Sequence, residues 1–197
     1  SGTHYLEGPS SRGSELKFII KSSWQMFQGI RRMHFIGPCI TVFGSARTEE
    51  SDPDYTLAME VGKRIAGLGF TTLTGGGPGI MEAANRGAYE QGGNSVGCTI
   101  KLPMEQSSNP YLHKSIDFDY FFVRKVLLLK YSYAFVVLPG GYGTLDEFFE
   151  TLTLIQTGII HNFPVVLMGC EYYQPVEEMI QKMIEEETIS PQDRQLI

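Results

Sequence analysis

Arg124 and Glu147 are two residues of opposite charge whose surroundings suit them to chemistry. Arg124 opens an apolar helical stretch that runs into a strand, and Glu147 lies in the first turns of a later helix. A guanidinium is a permanently charged planar fork that matches a phosphate, a carboxylate or a base edge. A glutamate can take or give a proton, or stabilise a developing cation. Each has a plainer reading. Arg124 could be a surface arginine, and Thr144-Leu145-Asp146-Glu147 fits a capping box, with Thr144 as N-cap and Glu147 reaching back to its amide. The helix face argues against a purely local role. Leu145, Phe148, Phe149, Leu152 and Ile155 form the apolar side, and Glu147 projects roughly opposite it, at about 100° per residue. Lys125, next to Arg124, points about 100° away from it on the same helix.

Three strands end in glycine-containing turns: Phe43-Gly44-Ser45, then Thr74 to Gly79 with Gly76 and Gly77, then Leu138 to Thr144 with Gly140, Gly141 and Gly143. Glycine lets backbone amides approach a phosphate, and a following helix N-terminus adds free donors and partial positive charge. One such turn is equally well explained as a tight connection; three on one sheet edge favour a binding site. The sequence has no G-x-x-x-x-G-K-[ST] segment, and Gly141-Tyr142-Gly143-Thr144-Leu145-Asp146 breaks the dinucleotide fingerprint at its last position. A mononucleotide remains. Tyr142 could stack on its base or face solvent.

Elements must hold these turns together. Helices are expected over 14–33 (N-cap Ser14, with Leu16, Ile19, Ile20, Trp24, Phe27 and Ile30 at helical spacing), 54–67, 80–91, 124–131, 144–156 and 171–187. Strands are expected at 39–43, 71–74, 95–100, 116–121, 133–138 and 164–168. Continuously apolar strands alternating with helices predict an α/β fold. It is a Rossmann-like, doubly wound parallel sheet with helices on both faces, plus an extra N-terminal helix. The small residues Ala83, Ala84, Gly87 and Ala88 should let their helix lie close to the sheet. Residues 1–13, polar and rich in Gly and Ser, read as a flexible tail, and 14–197 as a single domain.

Composition narrows the function. A net charge of −6 leaves no global basic field for nucleic acid or an anionic membrane. No apolar run reaches the ~18 residues of a membrane span. There is no signal-peptide pattern, so a cytoplasmic protein is expected. Cys39, Cys98 and Cys170, far apart and in apolar runs, read as buried free thiols. His4, His34, His113 and His161 have no metal-ligand spacing, so neither a metal nor another cofactor is assigned.

Pro139-Gly140-Gly141-Tyr142-Gly143-Thr144-Leu145-Asp146-Glu147 matches the P-G-G-x-G-T-x-x-E motif of the Lonely Guy family, and Arg124-Lys125 its second signature. Gly75-Gly76-Gly77-Pro78-Gly79-Ile80-Met81-Glu82-Ala83 resembles its glycine-rich helix start. The resemblance covers roughly residues 38 to 187. It implies a Rossmann-like homodimer that hydrolyses cytokinin riboside 5′-monophosphates, or related nucleotides such as AMP, to free base and ribose 5-phosphate. Many members carry a lysine decarboxylase label; no pyridoxal-phosphate signature is evident here. Phe121-Phe122-Val123 stands where plant members have Met-His, and Leu102 to Gln106 and the extra helix resemble a longer bacterial branch. The resemblance implies that Arg124 and Glu147 are catalytic. It implies substrate contacts from Lys125, from Glu105 and Thr153, and from the turn residues Gly44, Ser45, Gly76, Gly77, Gly140, Gly141, Gly143 and Thr144. The rival class is a nucleotide-binding or carrier protein without turnover; phosphoryl transfer is a weaker third. A pure binder would not need Arg124 and Glu147 together. Trp24, Met26 and Phe27, and the polar side of the helix from Thr144, could face a two-fold partner.

Overall fold

The computed structural model describes residues 8–101 and 108–196. Six strands form one sheet in the order β4-β3-β2-β1-β5-β6, and every pairing is parallel. The strands are β1 (Cys39–Phe43), β2 (Thr71–Thr74), β3 (Ser95–Ile100), β4 (Lys114–Phe118), β5 (Ser132–Val137) and β6 (Val165–Leu167). The helices are α1 (Arg12–Met33), α2 (Pro53–Gly67), α3 (Ile80–Glu90), α4 (Phe121–Tyr131), α5 (Tyr142–Gln156) and α6 (Cys170–Glu185), followed by a 3₁₀ turn at Pro191–Leu196. β1 lies between β2 and β5, so successive crossovers leave it in opposite directions. The switch point of strand order therefore falls between β1 and β5, where open parallel sheets bind ligands.

Side chains of a central strand alternate between two cores, as its pleat requires. Cys39 and Phe43 join Phe135, Val137, Leu127, Leu128 and Phe148 on the α4–α5 side. Val42 joins Ala58, Ile65, Ile80 and Ala84 on the α2–α3 side. The small residues of α3 serve helix–helix contact. A Cβ on Gly62 would lie 1.9 Å from the Ala84 carbonyl oxygen, and one on Gly87 1.8 Å from that of Met59, so α2 and α3 touch backbone to backbone.

Several sequence expectations shift. α1 begins at Arg12, because Ser11 rather than Ser14 caps it: Ser11 Oγ accepts the Ser14 N–H at 3.3 Å. The expected tail of 1–13 is thus shortened from its end, and residues 1–7 lie outside the described residues. The strand expected at 116–121 runs from Lys114 to Phe118, set by pairing with Val96 to Ile100, and Phe121 already belongs to α4. α4 thus begins three residues before the expected Arg124, and other boundaries move by at most two residues. Cys39 and Cys98 are buried, whereas Cys170, at the start of α6, is exposed. The periodic apolar stripe of α1 faces outward: Leu16, Ile20 and Trp24 are 57–61% exposed. Met33, Gly29 and, partly, Met26 and Phe18 pack inward.

Candidate active site

The three glycine turns lock together at the switch point. The Ser45 N–H donates to the Pro139 carbonyl at 2.9 Å, and the Ile80 N–H to the Ser45 carbonyl at 2.9 Å. Gly140 leaves room for Thr144, whose Oγ1 would sit 2.2 Å from a Cβ placed there. These turns wall a cavity of about 560 Å³. Gly44, Ser45, Gly76, Gly77, Gly141, Gly143 and Thr144 line it, as expected, and Gly140 stands behind Thr144. Arg47, Met81, Thr99, Ile100, Ser108 and Phe121 also line it, although their types and spacing did not single them out. They come from the ends of β1, β2 and β3, the segment before β4 and the start of α4, and only the fold brings them together.

α5 begins one residue after Gly141, which is its N-cap; Thr144 is not. The Thr144 N–H donates to the Gly141 carbonyl at 3.0 Å. The capping box is therefore absent, and Glu147 has no local backbone role of that kind. Thr144 packs against Gly140 from within the first turn. The amides of Gly141, Tyr142 and Gly143 have no acceptor among the described residues. They present a helix N-terminus to the cavity, where an anion is favoured.

The structure brings Arg124 and Glu147 together. Nη2 of Arg124 lies 3.9 Å from Oε1 of Glu147, with 15% and 7% of their side-chain surfaces exposed. Arg124 Nε is buried without a hydrogen-bond partner among the described residues. A Cβ on Gly75 would lie 3.6 Å from Arg124 Nη1, so the guanidinium bridges from α5 to the β2 turn. Burial pushes the Glu147 carboxyl up to about 7, against the opposing pull of Arg124 and Lys125. Burial likewise lowers the Arg124 pKa, opposed by Glu147. Arg124 lines the cavity, and Glu147 lies buried behind it; a carboxyl raised toward neutrality beside a cation at such a wall is equipped for acid–base or electrostatic catalysis.

Other expected contacts lie elsewhere. Lys125 turns to Asp146 at 2.8 Å and Glu150 at 2.9 Å across the α4–α5 groove. Thr153 lines that groove and donates to the Phe149 carbonyl at 2.8 Å. Glu105 lies outside the described residues. Among the described residues no cluster of His, Cys, Asp and Glu could hold a metal, and no helix is long and apolar enough to cross a membrane.

Residues 81–197 match the model of a family described as "Possible lysine decarboxylase". A relative from Oryza sativa subsp. japonica, named "Probable cytokinin riboside 5'-monophosphate phosphoribohydrolase", is 35% identical over 163 residues, covering 81% of this chain and 64% of the relative. The chain thus spans just under two thirds of that relative's length. A cytokinin riboside 5'-monophosphate phosphoribohydrolase of Arabidopsis thaliana is 34% identical over 163 residues, with coverages of 81% and 75%. Among solved structures, the Moco carrier protein from Chlamydomonas reinhardtii aligns at a TM-score of 0.51 and 32% identity, over 68% of this chain and 76% of that one. The molybdenum cofactor binding protein from Rippkaea orientalis shares the fold at a TM-score of 0.52 and 24% identity, over 76% of this chain and 99% of that one.

Proposed function

We propose, from the premise that this chain belongs to the Lonely Guy family, that it hydrolyses the N-glycosidic bond of a nucleoside 5′-monophosphate such as AMP or a cytokinin riboside 5′-monophosphate. The observation that carries this reading is the meeting of two features in one place. Open amides at Gly141, Tyr142 and Gly143 stand one helical turn from the buried Arg124–Glu147 pair. The amides hold the 5′-phosphate, which fixes the ribose and brings its anomeric carbon to the pair. Departure of the base builds oxocarbenium character on the ribose. Glu147, as carboxylate, stabilises that charge and takes a proton from the water that adds to the anomeric carbon. Arg124 orients the substrate with its fork. The products are free base and ribose 5-phosphate, with the proton released by water balancing the departing base.

The test is chromatography of free bases after incubation with a panel of nucleoside 5′-monophosphates. Release of one base with equimolar ribose 5-phosphate is expected. No base from any member of the panel contradicts the reading. A second reading, a carrier that binds without turnover, has support in the likeness to the Moco carrier protein of Chlamydomonas reinhardtii. The buried pair of opposite charges beside the open amides favours hydrolysis.

The same reading includes a homodimer. The outward stripe of α1, where Trp24 and Phe27 lie ring to ring at 5.6 Å, is the kind of apolar patch that a two-fold partner covers. Light scattering should give twice the 22.0 kDa of one chain, and Trp24→Asp should shift the population toward one chain. A 22.0 kDa species alone at micromolar concentration contradicts it.

A further inference from the structure

Behind the Gly75–Gly77 turn runs a chain of buried polar side chains. Asn85 on α3 is fully buried. Its Oδ1 accepts from Thr74 Oγ1 at 2.6 Å and from Asn109 Nδ2 at 3.1 Å, while its Nδ2 donates to Ser95 Oγ at 2.8 Å. Thr74 Oγ1, oriented by that bond, accepts the Gly76 N–H at 2.9 Å. Asn109 grips the turn from its other side: its N–H donates to the Gly76 carbonyl at 2.9 Å and its Nδ2 to the Gly77 carbonyl at 3.1 Å. An amide buried among strands is costly unless paired, and a network with its members satisfied rigidifies what it holds. Here it holds Gly76 at φ +74, which an L side chain rarely adopts.

The place of this turn in the cavity gives the network a task. The β2 turn lies two strands from the β5 turn, about 10 Å away at the ordinary strand spacing. Arg124 sits between them, against Gly75 on one side and Glu147 on the other. With the phosphate at Gly141–Gly143 and the anomeric carbon at the Arg124–Glu147 pair, the base falls against Gly76 and Gly77. We infer that Asn85, with Thr74 and Asn109, is a positioning unit that fixes the Gly76–Gly77 backbone as the wall on which the base lies, without touching the substrate. The inference rests on the phosphoribohydrolase reading for the placement of the phosphate.

The experiment compares a ligand that has a base with one that lacks it. Binding of AMP and of ribose 5-phosphate is measured by calorimetry in a Glu147→Gln background, so that AMP persists. kcat and KM are measured with Glu147 present. Thr74→Val removes the hydroxyl that joins Gly76 to Asn85 and keeps the shape. It should weaken AMP binding about 10-fold, the scale of one hydrogen bond, and raise KM in parallel. Ribose 5-phosphate binding should stay within about twofold, and Thr74→Ser should restore AMP. Asn109→Ala, in a loop outside the sheet, should act in the same direction and serves if Thr74→Val does not fold. Equal weakening of both ligands makes the network merely structural and overturns the inference, as does no change in either. A chain that binds AMP but releases no base from any nucleoside 5′-monophosphate of the panel overturns the hydrolase reading while this comparison still reads out. A chain that binds neither ligand overturns both.

Discussion

In the turn after β5, the amides of Gly141, Tyr142 and Gly143 have no acceptor among the described residues, whereas in the turn after β2 the Gly76 N–H and the Gly76 and Gly77 carbonyls are all taken by Thr74 and Asn109. Both turns are rich in glycine and both face one cavity. In the first, three successive amides are left for a ligand's charge; in the second, the central Gly76 peptide is held from behind by Thr74 and Asn109. Glycine content alone does not separate a cradle from a wall; accounting for each backbone donor and acceptor does. In the open turn, an N-terminal helix dipole and unpaired amides wait for an anion. In the turn after β2, Thr74 Oγ1 already accepts the Gly76 N–H, the place an anion would take, and Asn109 holds the two carbonyls from behind.

The sharpest way to break this contrast is to remove the anion. If the β5 turn anchors a phosphate through about three charge-assisted hydrogen bonds, at roughly 1.5 kcal/mol or more each, then adenosine should show a kcat/KM about 10³-fold below that of AMP. Equal values for the two would mean that the open amides bind nothing used in turnover.

A smaller effect concerns the carboxyl next to the open turn. Burial holds Glu147 at about 7, above its ordinary 4.5. Between those two pH values the folded chain keeps a proton that the unfolded chain has lost, so stability falls as pH rises through that window and is fully present below it. Glu147→Gln cannot lose such a proton. The melting temperature of the variant relative to the parent should therefore climb from pH 4.5 to 8, by an amount worth on the order of 3 kcal/mol at most. A difference that stays flat with pH would place Glu147 in solvent-like surroundings.

The smallest effect should come from Lys125. It faces Asp146 and Glu150, whose side chains are 62% and 43% exposed, and not the cavity of the glycine turns. Lys125→Ala should change kcat/KM by less than about threefold and stability by no more than ~1 kcal/mol. A loss beyond tenfold would move the substrate across to the α4–α5 groove and undo the contrast between the two turns.

Much of this was legible from residue order. The strand-forming runs of β1, β2 and β5 and the glycines that follow them marked the sheet and the edge where the turns gather, whereas the contact between Arg124 and Glu147 came only with the fold. What stayed hidden depends on contacts between distant segments. Thr144 has the chemistry of an N-cap, yet it stands inside the helix, packed against Gly140. The Leu16–Ile30 stripe of α1 has helical period, which marks an apolar face without telling what covers it. Residue order does not single out Asn85 on the small-residue helix. Only the junction of β2, β3 and the segment at Asn109 makes it a buried hub. Lys125 follows Arg124 in the motif, yet one step along a helix turns it to a different groove.

The central claim is that the open turn delivers a phosphorylated nucleoside to a working carboxylate. Glu147→Gln tests it most directly, because no capping hydrogen bond depends on that side chain and the change removes charge while keeping length. The measurement is adenine release from AMP alongside AMP binding, for the parent and the variant. The account predicts that the variant still binds AMP and releases adenine at least ~10²-fold more slowly, the low end for losing a general acid or base. A variant that binds AMP and releases adenine at the parental rate would contradict it, leaving Glu147 as a buried partner of Arg124 and nothing more.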